Sequence, residues 1–271
     1  MGQVAHLLDV FVPKNYQLYF DINRQTKKIS GVTKISGRAL KTDLALHQKF
    51  LNIKTVKVNG QAVAFTSSDD SETVNFTSPT TGPVELEVSY DTTLTDTMMG
   101  IYPSYYEVDG VKKQLIGTQF ETTSARQAFP SVDEPAAKAI FEMAIKFDEQ
   151  AGETVLSNMP EVQVEDGVHY FAPTLKMSTY LVAFAFGDLQ AKKTETKSGV
   201  EIGVFATKAH QAKELDFALD IAKRSIEFFE DYYQTPYPLP HSWQLALPDF
   251  SAGAMENWGL VTYREAYLLL D

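Results

Sequence analysis

Two segments of this 271-residue sequence hold the residue types that could do chemistry. In the first, Gln119, Phe120, Glu121 and Thr122 lead through Ala125 and Arg126 into Phe129-Pro130-Ser131-Val132-Asp133-Glu134-Pro135. Carboxylates, an arginine, prolines and aromatic rings crowd a short stretch, which composition alone reads first as a solvated loop with one ion pair. The second runs Gly253-Ala254-Met255-Glu256-Asn257-Trp258-Gly259. Small residues at Ala252, Gly253 and Ala254 let another backbone come close. An exposed extended segment can hydrogen-bond a peptide as an added strand, with the Glu256 carboxylate beside it. Composition alone also fits a glycine-marked strand connection here.

The rest of the sequence excludes much. Its five histidines, His6, His47, His169, His210 and His241, form no H-x-x-x-H pair and no H-E-x-x-H. No Walker loop or G-x-G-x-x-G fingerprint is present, and Ser251-Ala252-Gly253 is not the elbow of an acyl-transfer hydrolase. Cysteine is absent, which removes disulfides, cysteine nucleophiles and cysteine-bound metal. No catalytic set is complete in this chain and no metal ligands are evident. A net charge of −11 makes a nucleic-acid partner a poor expectation.

The elements that must position the two segments are mostly strands. Over residues 13–90, Tyr16, Leu18, Phe20 and Ile22 alternate with polar neighbours, and so do Val84, Leu86, Val88 and Tyr90. Asn59-Gly60 is a hairpin signal. Residues 139–147 alternate again, and further short strands follow to about Gly187. A polar run, 190–199, reads as a domain boundary or an exposed hairpin. Leu215, Leu219, Ala222, Ile226, Phe229 and Tyr233 then mark one face of a helix, with Thr207 as its expected N-cap and Pro236 and Pro238 as its stop. Strands are expected at 243–247 and 260–263, on either side of the second segment.

The opening residues lack the basic start and apolar core of a signal peptide, and the Met-Gly start meets His6 where a lipidation signal wants Ser or Thr. The most apolar stretch, 181–187, is far below the ~20 residues a membrane span needs. The expected setting is therefore cytoplasmic, with no membrane partner. The chain stops on Leu268-Leu269-Leu270-Asp271 without a Gly, Pro or polar end signal, which suggests a segment of a longer chain.

At these residues the sequence resembles the aminopeptidase N family of zinc metallopeptidases. G-A-M-E-N at 253–257 matches the family's exopeptidase signature, within the longer stretch LALPDFSAGAMENWGLVTYRE. QFET, AR and FPSVDEP at 119–135 resemble its other N-terminal signature, in the family's order and at its separation. The resemblance spans essentially the whole chain. It implies a mainly β fold: a saddle-like antiparallel β N-terminal domain over 1–190, then the truncated start of a thermolysin-like α+β catalytic domain over 191–271.

The resemblance also implies roles. Glu256 and Glu121 would both bind the free α-ammonium of a peptide substrate. Gly253 and Ala254 would offer backbone groups to the substrate main chain, Gln119 and Ala252 would line the pocket for its first side chain, and Met255 and Asn257 would brace the motif. The family's zinc ligands, in H-E-x-x-H and a later glutamate, have no counterpart here. Zinc would thus belong to the full-length enzyme, none would be bound by this chain, and the chain alone would be an inactive N-terminal piece of a metalloaminopeptidase, its partner the missing C-terminal part of the polypeptide. Ser131 stands where many relatives have cysteine. Arg126 and Asp133 are spaced to form an ion pair that would hold Glu121. Two other readings stand beside this one: a stand-alone, non-catalytic β-sandwich binding module, and a carbohydrate-binding sandwich resting on exposed Tyr102, Tyr105 and Tyr106.

Overall fold

The computed structural model describes residues 6–270. The opening residues and Asp271, on which the leader, lipidation and end-signal readings partly fall, lie outside this range. The fold is mainly β, as expected, with one long helix. Among the described residues no helix is long and apolar enough to cross a membrane.

The chain forms two compact units. The first runs to Ile101 and takes in Gln119–Asp148 and Glu161–Val182; the second takes Tyr102–Thr118, Glu149–Pro160 and the chain from Ala183 onward.

An eight-stranded sheet dominates the first unit. Its order is Glu161–Glu165, Val168–Phe171, Ile140–Phe147, Phe11–Asn23, Lys28–Ala39, Gly82–Thr93, Asn52–Val58, Gln61–Ala62. The pairings are antiparallel except that of Phe11–Asn23 with Ile140–Phe147, which is parallel. Alternation buries Tyr16, Leu18, Phe20 and Ile22 on one face, as period-2 patterning requires. Tyr16 stacks on Phe141 (4.9 Å between centroids), and Phe129 meets both edge to face. Asn59 and Gly60 take positive φ at the hairpin turn between Asn52–Val58 and Gln61–Ala62. A smaller antiparallel sheet, Asp43–His47, Thr73–Thr77 and Phe65–Ser68, belongs to the same unit.

The second unit holds a four-stranded sheet, Thr154–Ser157, Phe184–Gly187, Val111–Gln119 and Gly100–Val108, apart from the end residues Gly100, Ile101 and Gln119, which are counted in the first. It also holds a five-stranded mixed sheet in the order Leu189–Glu195, Glu201–Thr207, His241–Leu247, Leu260–Arg264, Ala254–Met255. The polar 190–199 run is the hairpin between the first two of these strands. His241–Leu247 is buried at every residue, as expected of a strand paired in parallel on both sides, although His241, Ser242 and Gln244 are polar.

The helix spans Asp216–Tyr233, entered through a 3-10 turn at Ala212–Leu215. Its start corrects the expected cap. Thr207 ends a strand, and a capping box between Gln211 and Glu214 satisfies the free N–H groups instead. Gln234 ends the helix in left-handed conformation, two residues ahead of Pro236. Of the expected apolar face Leu215 is buried, Leu219, Ala222 and Ile226 are half-buried, and the last two residues are exposed. Leu215 and Ala218 pack with Val204, Ala206 and Ala246, while Phe229 and Tyr233 are 50% and 65% exposed.

Candidate functional site

The segment 249–259 joins two strands of the five-stranded sheet, and its shape follows from three attachments within the second unit. At its start, Asp249 is tied to the strand Gly100–Val108. Its carboxylate accepts the Tyr105 N–H (2.7 Å), its N–H donates to the Ser104 hydroxyl (2.8 Å), and its carbonyl accepts the Tyr102 hydroxyl (3.0 Å). Next, Arg264 donates from Nε to the Phe250 carbonyl (3.1 Å), from Nη2 to the Ser251 carbonyl (2.9 Å) and from its main chain to the Gly253 carbonyl (3.0 Å). Finally, Asn158 donates to the Trp258 carbonyl (2.8 Å) while its own side-chain oxygen accepts the Ala183 N–H (2.8 Å).

Between these attachments Ala254–Met255 forms the edge strand of the sheet, antiparallel to Leu260–Arg264. Gly253 gives its carbonyl to Arg264, so the antiparallel alternation turns the N–H and C=O of Ala254 towards the open edge. Side chains alternate as well. Met255 and Asn257 are buried at 1% exposure each, and Asn257 donates to the Thr262 hydroxyl (3.2 Å). Ala252, Gly253, Ala254 and Glu256 are exposed. The structure therefore sets the outward N–H and C=O of Ala254, which have no partner among the described residues, beside the exposed Glu256 carboxylate, with Met255 and Asn257 buried behind.

The remaining candidates lie in the first unit. Gln119 ends the strand Val111–Gln119; its side chain is buried and its Oε1 has no hydrogen-bond partner among the described residues. Phe120 is fully buried and Glu121, next to it, is exposed. The turn after Glu121 is fixed by the Ser124 N–H on the Phe120 carbonyl (2.8 Å) and by Arg126. Arg126 Nε pairs with buried Asp133 at 3.0 Å, and its Nη1 reaches Glu72 at 2.8 Å. The ion pair expected from spacing is thus formed, within a network that sequence spacing did not reveal.

Tyr102 is corrected from exposed to buried, with its hydroxyl on Asp249, and the Tyr106 hydroxyl donates to the Asp188 carbonyl (3.4 Å). Of the three tyrosines offered for a carbohydrate, only Tyr105 is an exposed large side chain. That row of stacking rings does not exist.

Among the described residues no three His, Asp or Glu side chains converge as a metal site. The histidines are engaged singly. His47 Nδ1 accepts the Asp133 N–H (3.1 Å), His169 bonds Glu161 (2.6 Å), and His210 bridges Glu214 (2.8 Å) and Glu265 (3.0 Å) through opposite ring nitrogens. His241 stacks on Trp243, and burial pushes its imidazole down to about 4. Among the described residues these donors form no set for the zinc that the resemblance assigns to the full-length enzyme.

A family model for the peptidase M1 N-terminal domain matches residues 12–181, and one for the peptidase family M1 domain matches 217–271. The chain belongs to the M1 peptidase family. Among its M1 relatives, Aminopeptidase N of Lactobacillus delbrueckii subsp. lactis is 62% identical over 99% of this chain and 32% of its own length. Aminopeptidase N of Lactococcus lactis subsp. cremoris (strain MG1363) is 57% identical over 99% of this chain and 32% of its own. Endoplasmic reticulum aminopeptidase 1 of Homo sapiens is 39% identical over 98% and 30%. This M1 chain spans about a third of the length of the curated relatives it matches.

Residues that the sequence did not single out also shape the M1 segment. Arg264 and Asn158 pin the loop from outside it. The one sequence signal was Gly259, whose positive φ (80°) and missing Cβ let the Asn158 carbonyl approach.

Proposed function

We propose that this chain is the part of an M1 aminopeptidase that recognises the free N-terminus of a peptide. The supporting observation is the Ala254–Met255 edge, with the open backbone groups of Ala254 and the exposed Glu256 carboxylate beside them. A peptide laid along that edge would gain main-chain hydrogen bonds of the kind that pair strands. A carboxylate at its end favours a terminal ammonium over an internal amide, which carries no charge. An unpaired ammonium, or a carboxylate left without its cation, costs binding, so blocked termini are rejected.

Glu121 is the second anionic group of this reading, exposed in the first unit. Gln119 and Ala252 are assigned to the first side chain of the substrate, and Met255 and Asn257 to support. In this reading the division of labour follows 1–190 and 191–271. Zinc is held by residues outside this chain, and the 271 residues alone do not cleave.

The test is hydrolysis of an alanyl or lysyl chromogenic amide by the purified chain, with and without zinc, beside the full-length product of the same gene. Activity confined to the full-length protein is the expected result. Zinc-dependent hydrolysis by the chain alone would overturn the assignment of the metal to residues outside it. Inactivity of both would favour a binding module that cleaves nothing.

A further inference from the structure

Arg264 makes contacts that its place at the end of a strand does not require. An arginine there could extend into solvent. Instead its guanidinium turns back across the loop before the edge strand and takes the carbonyls of Phe250 and Ser251, while its main chain takes that of Gly253. Three of four consecutive carbonyls are thereby drawn to one residue. The Tyr267 ring packs 5.9 Å from the guanidinium carbon and also faces Gly253, where an added Cβ would come within 3.8 Å of it. Phe250, 3% exposed, seats the loop in the interior. Asp249 is held independently by Tyr102, Ser104 and Tyr105, so the loop is fixed at both ends.

The consequence falls on the edge. With the carbonyls of 250, 251 and 253 committed to Arg264, the direction of the backbone entering Ala254 is set before any ligand arrives. A free-edge dipeptide strand has only one neighbour to hold it, and two residues of pairing are weak by themselves.

We propose that Arg264 is a positioning residue for the recognition edge: it sets the backbone groups of Ala254 and the Glu256 carboxylate in the geometry that receives a peptide terminus. This rests on the reading that the edge binds substrate. Nε and Nη2 meet two successive carbonyls from separate nitrogens of one rigid plane, a spacing that the three donors on lysine's single nitrogen, at the end of a flexible stem, do not reproduce.

Two measurements on Arg264→Ala and Arg264→Lys test the proposal. In the complete polypeptide, KM for an alanyl chromogenic amide should rise about tenfold or more in both variants, with a smaller change in kcat. Added methylguanidinium should lower KM again in the alanine variant and leave wild type unaffected. In the 271-residue chain, amide hydrogen exchange over 250–257 should quicken in both. The lysine variant keeps the charge and the aliphatic stem, so a global folding defect shows as faster exchange everywhere rather than in this loop. An unchanged KM overturns the proposal, whether or not exchange quickens. So does a KM effect that lysine abolishes or that methylguanidinium fails to reverse. A complete wild-type polypeptide with no aminopeptidase activity overturns the substrate reading itself, and exchange over 250–257 then separately decides whether Arg264 holds the loop.

Discussion

Arg126 sets its guanidinium Nε 3.0 Å from Oδ2 of Asp133, whose side chain is 1% exposed. The carboxylate also accepts the Thr179 hydroxyl at 2.6 Å and the Arg126 main-chain N–H at 3.3 Å, and the guanidinium donates to the Asp133 carbonyl at 3.2 Å. A buried charge is tolerable here because its counter-charge and its hydrogen bonds arrive together. Replacing only the cation leaves the carboxylate among neutral donors. Arg126→Met should therefore cost the first unit about 3–5 kcal/mol in urea unfolding. A loss under about 1 kcal/mol would show that the pair is not holding the turn that follows Glu121.

Ser131 gives an opposite expectation. It is fully buried, and its hydroxyl has no hydrogen-bond partner among the described residues, although its main chain pairs with His47 in both directions. An unsatisfied buried hydroxyl is a penalty that a small apolar or weakly polar group removes. Ser131→Ala and Ser131→Cys should be neutral or stabilising by up to about 1 kcal/mol. Clear destabilisation in a thermal melt would mean the hydroxyl does have a partner.

Gly259 closes the loop at the other end. Its φ is 80°, and a Cβ there would lie 2.0 Å from the Asn158 carbonyl oxygen. Backbone conformation and space both exclude a side chain, and the obstruction is main chain, which cannot swing away. Gly259→Ala should destabilise the second unit by more than about 1 kcal/mol. It should also release Trp258 from Asn158, visible as a change in tryptophan emission. A variant with wild-type stability would contradict this close approach.

Much of this architecture was legible in the sequence because its causes are local. Tyr16 to Ile22 and Ile140 to Phe147 bury alternate residues as their letters alternate. Leu215 to Tyr233 reads as a helix because apolar residues recur at its period. The strand Glu161–Glu165 alternates Val162 and Val164 with polar residues, but the run is short and all five residues are exposed, so its pattern marks no buried face. Thr207 misled as a cap because a threonine at a strand end and one at a helix start look alike without the intervening turn. The segment at 252–257 was visible as small residues beside a carboxylate. Its attachments were not, since Asn158 and Tyr102 are far from it in sequence and are brought to it only by the sheets of the second unit.

His210 is poised to make part of the second unit sensitive to pH. Burial lowers its imidazole pKa, but hydrogen bonds to the carboxylates of Glu265 and Glu214 outweigh that and leave it raised. Only the protonated ring can donate to both carboxylates at once. A raised folded-state pKa means this tie contributes fully below the ordinary value of 6.5 and is lost as pH climbs through the higher folded value. The His210 ring resonance should titrate above 6.5 in an NMR experiment, and Glu265→Gln should move the midpoint down. A midpoint at or below 6.5 in the wild-type chain would mean that the bridge does not form in solution.

Glu256 provides the most direct test of the recognition edge. Its side chain is exposed next to the open groups of Ala254, while Met255 and Asn257 on either side are buried, so shortening it leaves the packing behind the edge intact. In the complete polypeptide, Glu256→Ala should weaken transition-state stabilisation for free-amine substrates by about 2–5 kcal/mol, the range for removing one side of a desolvated charge pair. The loss should appear in kcat/KM, and the thermal melt of the 271-residue chain should hardly move. Glu256→Gln keeps the shape and removes the charge, so it separates electrostatic from steric effects: a similar loss in both variants assigns the effect to charge. Unchanged kcat/KM in both variants would remove Glu256 from amine binding and leave the edge backbone as the only element of this segment able to hold a peptide.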